Sequence, residues 1–254
     1  MENAFGQPQT VIVLGGSSDI ARALTNELCR GRAREVVLAG RDASLLDAAA
    51  REAADAGARA THTVLFNARD LESAARAVDE SFAAINGTVD LVVVAVGLLG
   101  DQERDERDPA RAAEMAVVNY AWPVAALTAV REKLVAQGSG RMLVMSSVAA
   151  IRVRRQNYLY AGAKAGLDRL CEGLADSLED TGVTLQILRP GFVRSKMTAG
   201  MKAAPFATTP EAVAKDVVKA LGSTKRVITS PAILEWVFLL LRHLPASLWR
   251  KSEL

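Results

Sequence analysis

The sequence is poor in the residues that several kinds of protein are built from. Its two cysteines, Cys29 and Cys171, lie far apart without Cys-x-x-Cys or Cys/His spacing, so neither a disulfide framework nor a zinc site can be assembled from them. Its two histidines, His62 and His243, have no partner at a ligand or triad spacing and read as structural. Excess charge is missing too: 31 Lys and Arg stand against 29 Asp and Glu, which removes the dense positive field of a nucleic-acid binder. There is no repeat period, charge block or Ser/Gly-rich linker, and Met1 to Gln9 has an acidic residue but no basic stretch leading into an apolar one. That pattern is unlike a secretion signal. A reducing, cytoplasmic setting is expected, with no nucleic-acid partner.

What is present is core. Half of the 254 residues are apolar, ample for a large buried interior. Short apolar runs at 10–14, 35–39, 60–66, 90–95, 141–145, 183–188 and 226–229 alternate with helical patterns such as the Ala-rich 45–56. Runs such as Val11-Ile12-Val13-Leu14 and Leu91-Val92-Val93-Val94 are nearly continuous, as in strands covered on both faces. The expected fold class is α/β: a Rossmann-type, doubly wound parallel sheet of about seven strands in three αβα layers. Residues 1–230 form the expected dinucleotide-binding and catalytic domain, and residues 231–254 an apolar C-terminal extension.

The first run leads into Gly15-Gly16-Ser17-Ser18-Asp19-Ile20-Ala21 and then a helical pattern. A strand, a loop of small residues and a helix N-terminus together present backbone N–H groups to a pyrophosphate. Further on, Tyr160 and Lys164 are four residues apart, which puts both on one face of a helix with the ammonium beside the phenol. Such a lysine is expected to lower the pKa of the phenol. Ser147 follows the fifth run, at the sheet edge where open α/β folds bind ligands. Asp168, one turn beyond Lys164, reads as a surface or helix-pairing charge.

The loop, Asn119, Ser147, Tyr160-Ala161-Gly162-Ala163-Lys164 and Pro190-Gly191 together resemble the motif series of the short-chain dehydrogenase/reductase family, over about residues 10 to 229. The resemblance implies a nicotinamide-dependent oxidoreductase, NAD(P)-linked and acting on an alcohol or ketone. Tyr160 is then the general acid, and Ser147 a hydrogen-bond donor to the substrate oxygen. Lys164 also bonds the nicotinamide ribose, and Asn119 holds the water that reloads it. Gly15, Ser17, Ser18, Asp19, Ile20, Arg41, Asn67, Gly97, Pro190, Gly191 and Val193 join Tyr160 and Lys164 as cofactor-binding positions. No metal is required, and a homo-oligomer is expected.

Several positions depart from the family pattern. Of the usual Thr-Gly-x-x-x-Gly-x-Gly loop only Gly15 is kept, with Asp19 and Ala21 at the other two glycines. A carboxylate at Asp19 is unfavourable near a pyrophosphate unless it points away or caps the helix, and capping is expected. Asn-Asn-Ala-Gly is replaced by Val94-Ala95-Val96-Gly97, and the adenine-binding Asp by Asn67, whose amide oxygen can still accept. After the second run Gly40 stands where an acidic residue would bind the NAD ribose, and Arg41 follows. A guanidinium there can pair with a 2′-phosphate, so NADP(H) is favoured and NAD(H) stays open.

Two features bear on the substrate. Arg152, Arg154 and Arg155 lie on the loop between Ser147 and Tyr160, where guanidinium forks suit a phosphate and a solvated basic loop is the alternative. The segment from Ile233 to Leu241, followed by Arg242, Trp249, Arg250 and Lys251, is too short to span a bilayer but suited to an interface. Packing beneath a substrate loop or across an oligomer interface is the other reading. Val96–Asp101, Arg152–Arg155 and Leu241–Pro245 resemble one subgroup of the family, the reductase subunits of decaprenylphosphoryl-β-D-ribose 2-epimerases (decaprenylphosphoryl-2-keto-ribose reductases). That resemblance implies a flavin-dependent oxidase subunit as partner and a polyprenyl-phosphate keto-sugar as substrate. The product would be decaprenylphosphoryl arabinose, for cell-wall arabinan. The residues alone reach a nicotinamide-dependent ketone reductase. A reductase of another lipid or acyl ketone and a non-catalytic nucleotide-binding scaffold remain alternatives.

Overall fold

The seven apolar runs form seven strands in the computed structural model, which describes residues 7–249. They are β1 (Thr10–Leu14), β2 (Glu35–Gly40), β3 (Ala60–Leu65), β4 (Leu91–Val94), β5 (Gly140–Met145), β6 (Val183–Pro190) and β7 (Val227–Ser230). The helices are α1 (Asp19–Gly31), α2 (Ala43–Asp55), α3 (Ser73–Ala83), α4 (Gln102–Asp105), α5 (Pro109–Ala116), α6 (Trp122–Gln137), α7 (Tyr158–Asp176), α8 (Pro210–Leu221), α9 (Ile233–Leu241) and α10 (Ala246–Trp249). Arg250 and Lys251, counted above among the interfacial cations, lie outside the described residues.

Every strand pair is parallel, in the order β3-β2-β1-β4-β5-β6-β7. Strand order reverses between β1 and β4, and the crevice at their carboxyl ends is where a doubly wound sheet takes its ligand. Because side chains alternate along a strand, β1 serves both layers. Val11 and Val13 pack with Leu24 and Leu28 of α1, Leu46 of α2 and Val217 of α8. Ile12 and Leu14 pack with Trp122, Leu127 and Leu134 of α6 and Leu167 and Cys171 of α7. The stretch Pro109–Gln137 is long and apolar enough to cross a membrane by length and composition alone, yet its apolar side chains form this second layer. Trp122 stacks on Phe66 at 4.4 Å and donates through Nε1 to Ser73 Oγ at 3.0 Å. Both cysteines are buried and unbonded, and burial pushes Cys29 up to about 11 and Cys171 up to about 12.

The structure corrects the sequence reading at three places. β3 is not a covered strand: it lies at the sheet edge, and Thr63 and Leu65 are exposed because there is only one neighbour to shield them. β6 runs two residues past its apolar stretch, since Arg189 and Pro190 pair with Thr229 and Ser230 of β7. Pro190 has no N–H to give, and it lies beyond the last β5–β6 pair, Met145 with Leu188, where only β7 stands beside it.

The third correction is Asp168, which is not a surface charge but only 2% exposed. Its carboxylate takes a two-pronged ion pair from Arg189, with Nε and Nη2 at 3.0 and 2.6 Å, and accepts from Ser146 Oγ at 2.6 Å. Arg189 also reaches Glu172 at 3.0 Å. One buried anion thus joins α7 to the ends of β5 and β6, immediately beside Ser147 and Pro190. Removing the cation alone leaves an uncompensated buried charge. Arg189→Met is therefore expected to lower stability by about 3–5 kcal/mol, measured by urea unfolding followed by circular dichroism. Asp168→Asn/Arg189→Met together should recover part of that loss.

Candidate active site

β1 ends at Leu14, and the chain turns on Gly15, whose φ of +94° lies in the left-handed region. A Cβ there would sit 2.7 Å from the carbonyl carbon of Ala95. The N–H groups of Gly15 and Gly16 both bond Ala39 O, at 2.8 and 2.9 Å, which pins the loop to β2. Ser18, not Asp19, caps α1: its Oγ accepts from Ala21 N at 3.2 Å. The expected capping role of Asp19 is therefore corrected. Asp19 is the first residue of the helix, and its carboxylate reaches out of the loop to Lys196 N at 2.6 Å. That bond turns the carboxylate toward the segment after β6. A pyrophosphate fits a cradle with these properties: a close-packed glycine, two small serines and the positive end of a helix dipole.

The fourth strand leads through Val94 and Ala95, which stand in place of the two amides of the family pattern, to Val96 and Gly97. Asn119 holds the residue that follows. It is fully buried in a π-helical turn, Val117–Ala121, between α5 and α6, and such an inserted residue redirects a side chain out of regular helical register. Its carboxamide bonds both sides of Leu98: Nδ2 donates to Leu98 O at 2.9 Å, and Oδ1 accepts from Leu98 N at 3.1 Å. A Cβ on Gly97 would lie 2.9 Å from Asn119 Oδ1 and 3.2 Å from Lys164 Nζ, so glycine is what lets these two groups meet there.

Lys164 is buried on α7, and its ammonium donates to Met145 O at 2.8 Å and Val96 O at 3.3 Å. Burial pulls its pKa down to about 8. Tyr160, one turn earlier, is hydrogen-bonded with Ser147, and Ser147 Oγ accepts from Ala149 N at 3.1 Å. Ser147, Tyr160, Lys164 and Asn119 are thus brought together as the sequence expects. The electrostatics differ from expectation. The phenol pKa is raised, because burial opposes the phenolate and outweighs the bond from Ser147, while the lysine charge is directed at two carbonyls.

Around this centre the remaining positions vary. Gly191 N bonds Ser230 O at 2.8 Å, and a Cβ on Gly191 would strike Leu234, so α9 closes directly onto it. Val193 is bridged to Thr208. Asn67 Oδ1 already accepts from Arg69 N at 3.1 Å, which leaves one lone pair for an adenine. Arg41 is exposed after β2. The neighbouring Asp42 is occupied in capping α2, accepting from Ser44 Oγ at 2.7 Å and Leu45 N at 3.1 Å. Those two bonds and the nearby Arg41 hold its carboxyl below the usual range.

The three loop arginines separate. Arg152 is corrected as a phosphate ligand: it donates to Leu241 O and, at 2.6 Å, to Leu244 O, and stacks over Trp249 at 4.7 Å. Trp249 Nε1 in turn donates to Val153 O at 3.0 Å. Arg154 is half-buried, and desolvation lowers its pKa; its Nε is buried without a partner. Arg155 is exposed. Sequence reasoning missed Ser146, Arg189 and Lys196, whose roles depend on contacts across 22, 21 and 177 residues that leave no local pattern. His62 lies 3.5 Å from Glu35, and His243 accepts from Arg242 at 2.9 Å; neither reaches this centre.

Residues 9–205 match the short chain dehydrogenase family. At 44% identity over 241 residues, 95% of this chain and 96% of the relative, the chain is similar to "Uncharacterized oxidoreductase Rv2073c" of Mycobacterium tuberculosis. It is 38% identical over 250 residues, 98% of each chain, to an uncharacterized oxidoreductase in the mprA 5′ region of Streptomyces coelicolor. Among solved structures, a short chain dehydrogenase from Burkholderia cenocepacia in complex with NADP superposes with a TM-score of 0.80 at 20% identity, over 96% of both chains. A short-chain type dehydrogenase/reductase from Mycobacterium ulcerans does so at 0.75 and 25% identity, over 93% of this chain and 98% of that one.

The cradle makes a direct prediction. In Gly15→Ala the new methyl meets the Ala95 carbonyl and the residue keeps a left-handed φ, a strain of about 1–3 kcal/mol. The variant is expected to bind NADPH at least about tenfold more weakly, read by quenching of NADPH fluorescence, while its circular dichroism spectrum stays that of the parent.

Proposed function

The chain belongs to the short-chain dehydrogenase/reductase family, and from that premise we propose that it is an NADP(H)-preferring reductase of a keto-sugar carried on a polyprenyl phosphate. In this reading it performs the second half of an epimerisation, after a flavin-dependent oxidase subunit has turned a ring hydroxyl into a ketone. The product is decaprenylphosphoryl-β-D-arabinose. The observation that carries the proposal is the contrast at the mouth of the site. Arg154 and Arg155 lie on the loop that follows Ser147, while Val153 on that loop, Met197, Met201 and Phe206 after β6, and Trp236 and Leu240 on α9 are all exposed.

The chemistry follows from the centre. When bound, the reduced nicotinamide supplies a hydride to the carbonyl carbon. Tyr160 supplies the proton to the oxygen: its raised pKa keeps it a neutral donor at physiological pH, and the oxygen becomes far more basic than a phenol as the hydride arrives. Ser147 stabilises the same oxygen by a hydrogen bond. Lys164 stabilises the phenolate that remains and, with water held near Asn119, restores its proton. Preference for a 2′-phosphate rests on exposed Arg41 beside a capped Asp42. The NADP complex of the Burkholderia neighbour is compatible with this preference.

The lipid half of the proposal rests on α9. Leu234 and Phe238 are buried against Val148 and Ile151 beside Ser147, so this face of the extension packs on the catalytic loop. The opposite face is bare, with Trp236 66% and Leu240 73% exposed. Three and four residue steps from Ile233 to Trp236 to Leu240 put all three on one side of the helix. An apolar tail or the surface of the bilayer that holds it suits such a face.

Two measurements follow. Reduction is expected to hold through neutral pH and to fall as pH rises past about 8, where Lys164 loses its proton; the limb should vanish from the residual activity of Lys164→Met. Arg154→Ala/Arg155→Ala is expected to raise KM for the oxidised prenyl-phosphate ribose by about 10–100-fold and to leave a small ketone unaffected. Equal loss on both ketones would remove the phosphate role. Incubating the parent enzyme with NADPH or NADH and that substrate, while following both nucleotide oxidation and the arabino product, tests the whole reading. Turnover of the small ketone alone would favour another lipid or acyl ketone, and turnover of neither would favour the scaffold alternative.

A further inference from the structure

Residues 194–207 form a flap between β6 and α8, hinged where Arg194 N bonds Thr208 O and Thr208 N bonds Phe192 O, both at 2.9 Å. Its first turn is held internally, with Ser195 N on Thr198 Oγ1 at 3.1 Å and that hydroxyl on Val193 O at 2.6 Å. Beyond the hinge, the one hydrogen bond among the described residues that joins this flap to the rest of the fold is Lys196 N to Asp19 Oδ2, at 2.6 Å. It spans 177 residues. The Lys196 ammonium is a weaker partner, 3.9 Å away and largely exposed. The carboxylate sits on the first residue of α1, whose N–H opens the pyrophosphate cradle, so one residue belongs to both the cradle and the flap contact. The flap in turn carries Met197, Met201 and Phe206, large apolar side chains that are exposed and form part of the proposed substrate mouth.

We infer that Asp19 is a positioning residue, a latch that holds the flap 194–207 across the end of the phosphate loop and transmits the loop's occupancy to the substrate mouth. The inference rests on the dinucleotide reading of the loop. Filling the cradle fixes the start of α1 and, through the carboxylate, the first turn of the flap. The mouth is then assembled for the ketone only after the dinucleotide has bound. The latch is a hydrogen bond to a backbone N–H, so it needs an acceptor at position 19 more than it needs a charge there, and it does not need the lysine side chain at all.

Hydrogen exchange of the full chain, followed by mass spectrometry with and without NADPH, tests this. In the parent protein NADPH should slow exchange in both 15–20 and 194–207. In Asp19→Ala, exchange across 194–207 without NADPH should rise by about tenfold or more, and NADPH should protect 15–20 alone. Asp19→Asn, which keeps an acceptor oxygen, and Lys196→Ala, which keeps the N–H, should both behave like the parent. In kinetics, Asp19→Ala should raise KM for the ketone with little change in kcat. Flap exchange in Asp19→Ala within twofold of the parent would overturn the latch, as would loss of flap protection in Lys196→Ala equal to that in Asp19→Ala. If NADPH protects neither segment of the parent, the dinucleotide reading fails, and the coupling inferred from it is overturned too. The comparison without NADPH then decides the static contact by itself.

Discussion

The site is organised by one buried ammonium. Lys164 Nζ bonds the carbonyls of Met145 and Val96, which lie at the carboxyl ends of two neighbouring central strands. An unpaired cation at this depth would cost several kcal/mol. Two carbonyl dipoles lessen that cost without neutralising the charge, and the remaining desolvation appears as a pKa near 8. The same two bonds fix where the loops after β4 and β5 begin. Gly97 lies against the ammonium, Asn119 bonds Leu98 on the next residue, and Ser147 stands two residues past Met145. Tyr160 is placed by being on the same helix.

Much of this was legible because it is local. Strands covered on both faces must be apolar at successive positions, and a four-residue spacing on a helix brings two side chains to one face. The glycine-led loop after β1 reads as a phosphate cradle only in company with the Ser147, Tyr160 and Lys164 spacing, since alone it could be a tight turn. What the sequence hid was tertiary pairing. Asp168 looks like any helical carboxylate until β6 delivers Arg189, and Arg152 looks like a phosphate fork until α9 presents the carbonyls of Leu241 and Leu244. Asp19 shows the same limit: a residue that appears misplaced in a phosphate loop is explained by a backbone N–H far along the chain. The phenol was misjudged for another reason. Proximity of Lys164 suggests a lowered pKa, but desolvation of the half-buried phenol outweighs the bond from Ser147, and the ammonium is already shared with two carbonyls.

These corrections reassign charge from ligand binding to architecture. Of the charged groups that the sequence offers in or beside the site, Asp19, Arg152 and Lys164 bond the protein's own backbone and Asp168 forms an internal ion pair. Charged partners give a flap, a C-terminal helix and a helix–sheet joint more directional attachment than apolar packing would, since a charge-assisted bond has a preferred geometry and packing has little. The attachments fall at the carboxyl ends of β1, β5 and β6, around the crevice that the strand order creates.

That placement also divides the crevice chemically. On the β1 side lie small residues, a helix N-terminus and Arg41, a surface suited to a dinucleotide and its phosphates. On the β6 side lie the flap and α9, both of which turn large apolar side chains outward. A molecule that is polar at one end and hydrocarbon at the other can satisfy the β6 side with its polar end inward at Tyr160 and its tail along α9. The reverse orientation would bring hydrocarbon to Ser147 and leave the exposed faces of Trp236 and Leu240 in water. The proposed substrate therefore has an orientation dictated by burial alone: the ketone enters first, and the phosphate follows at the level of Arg154 and Arg155.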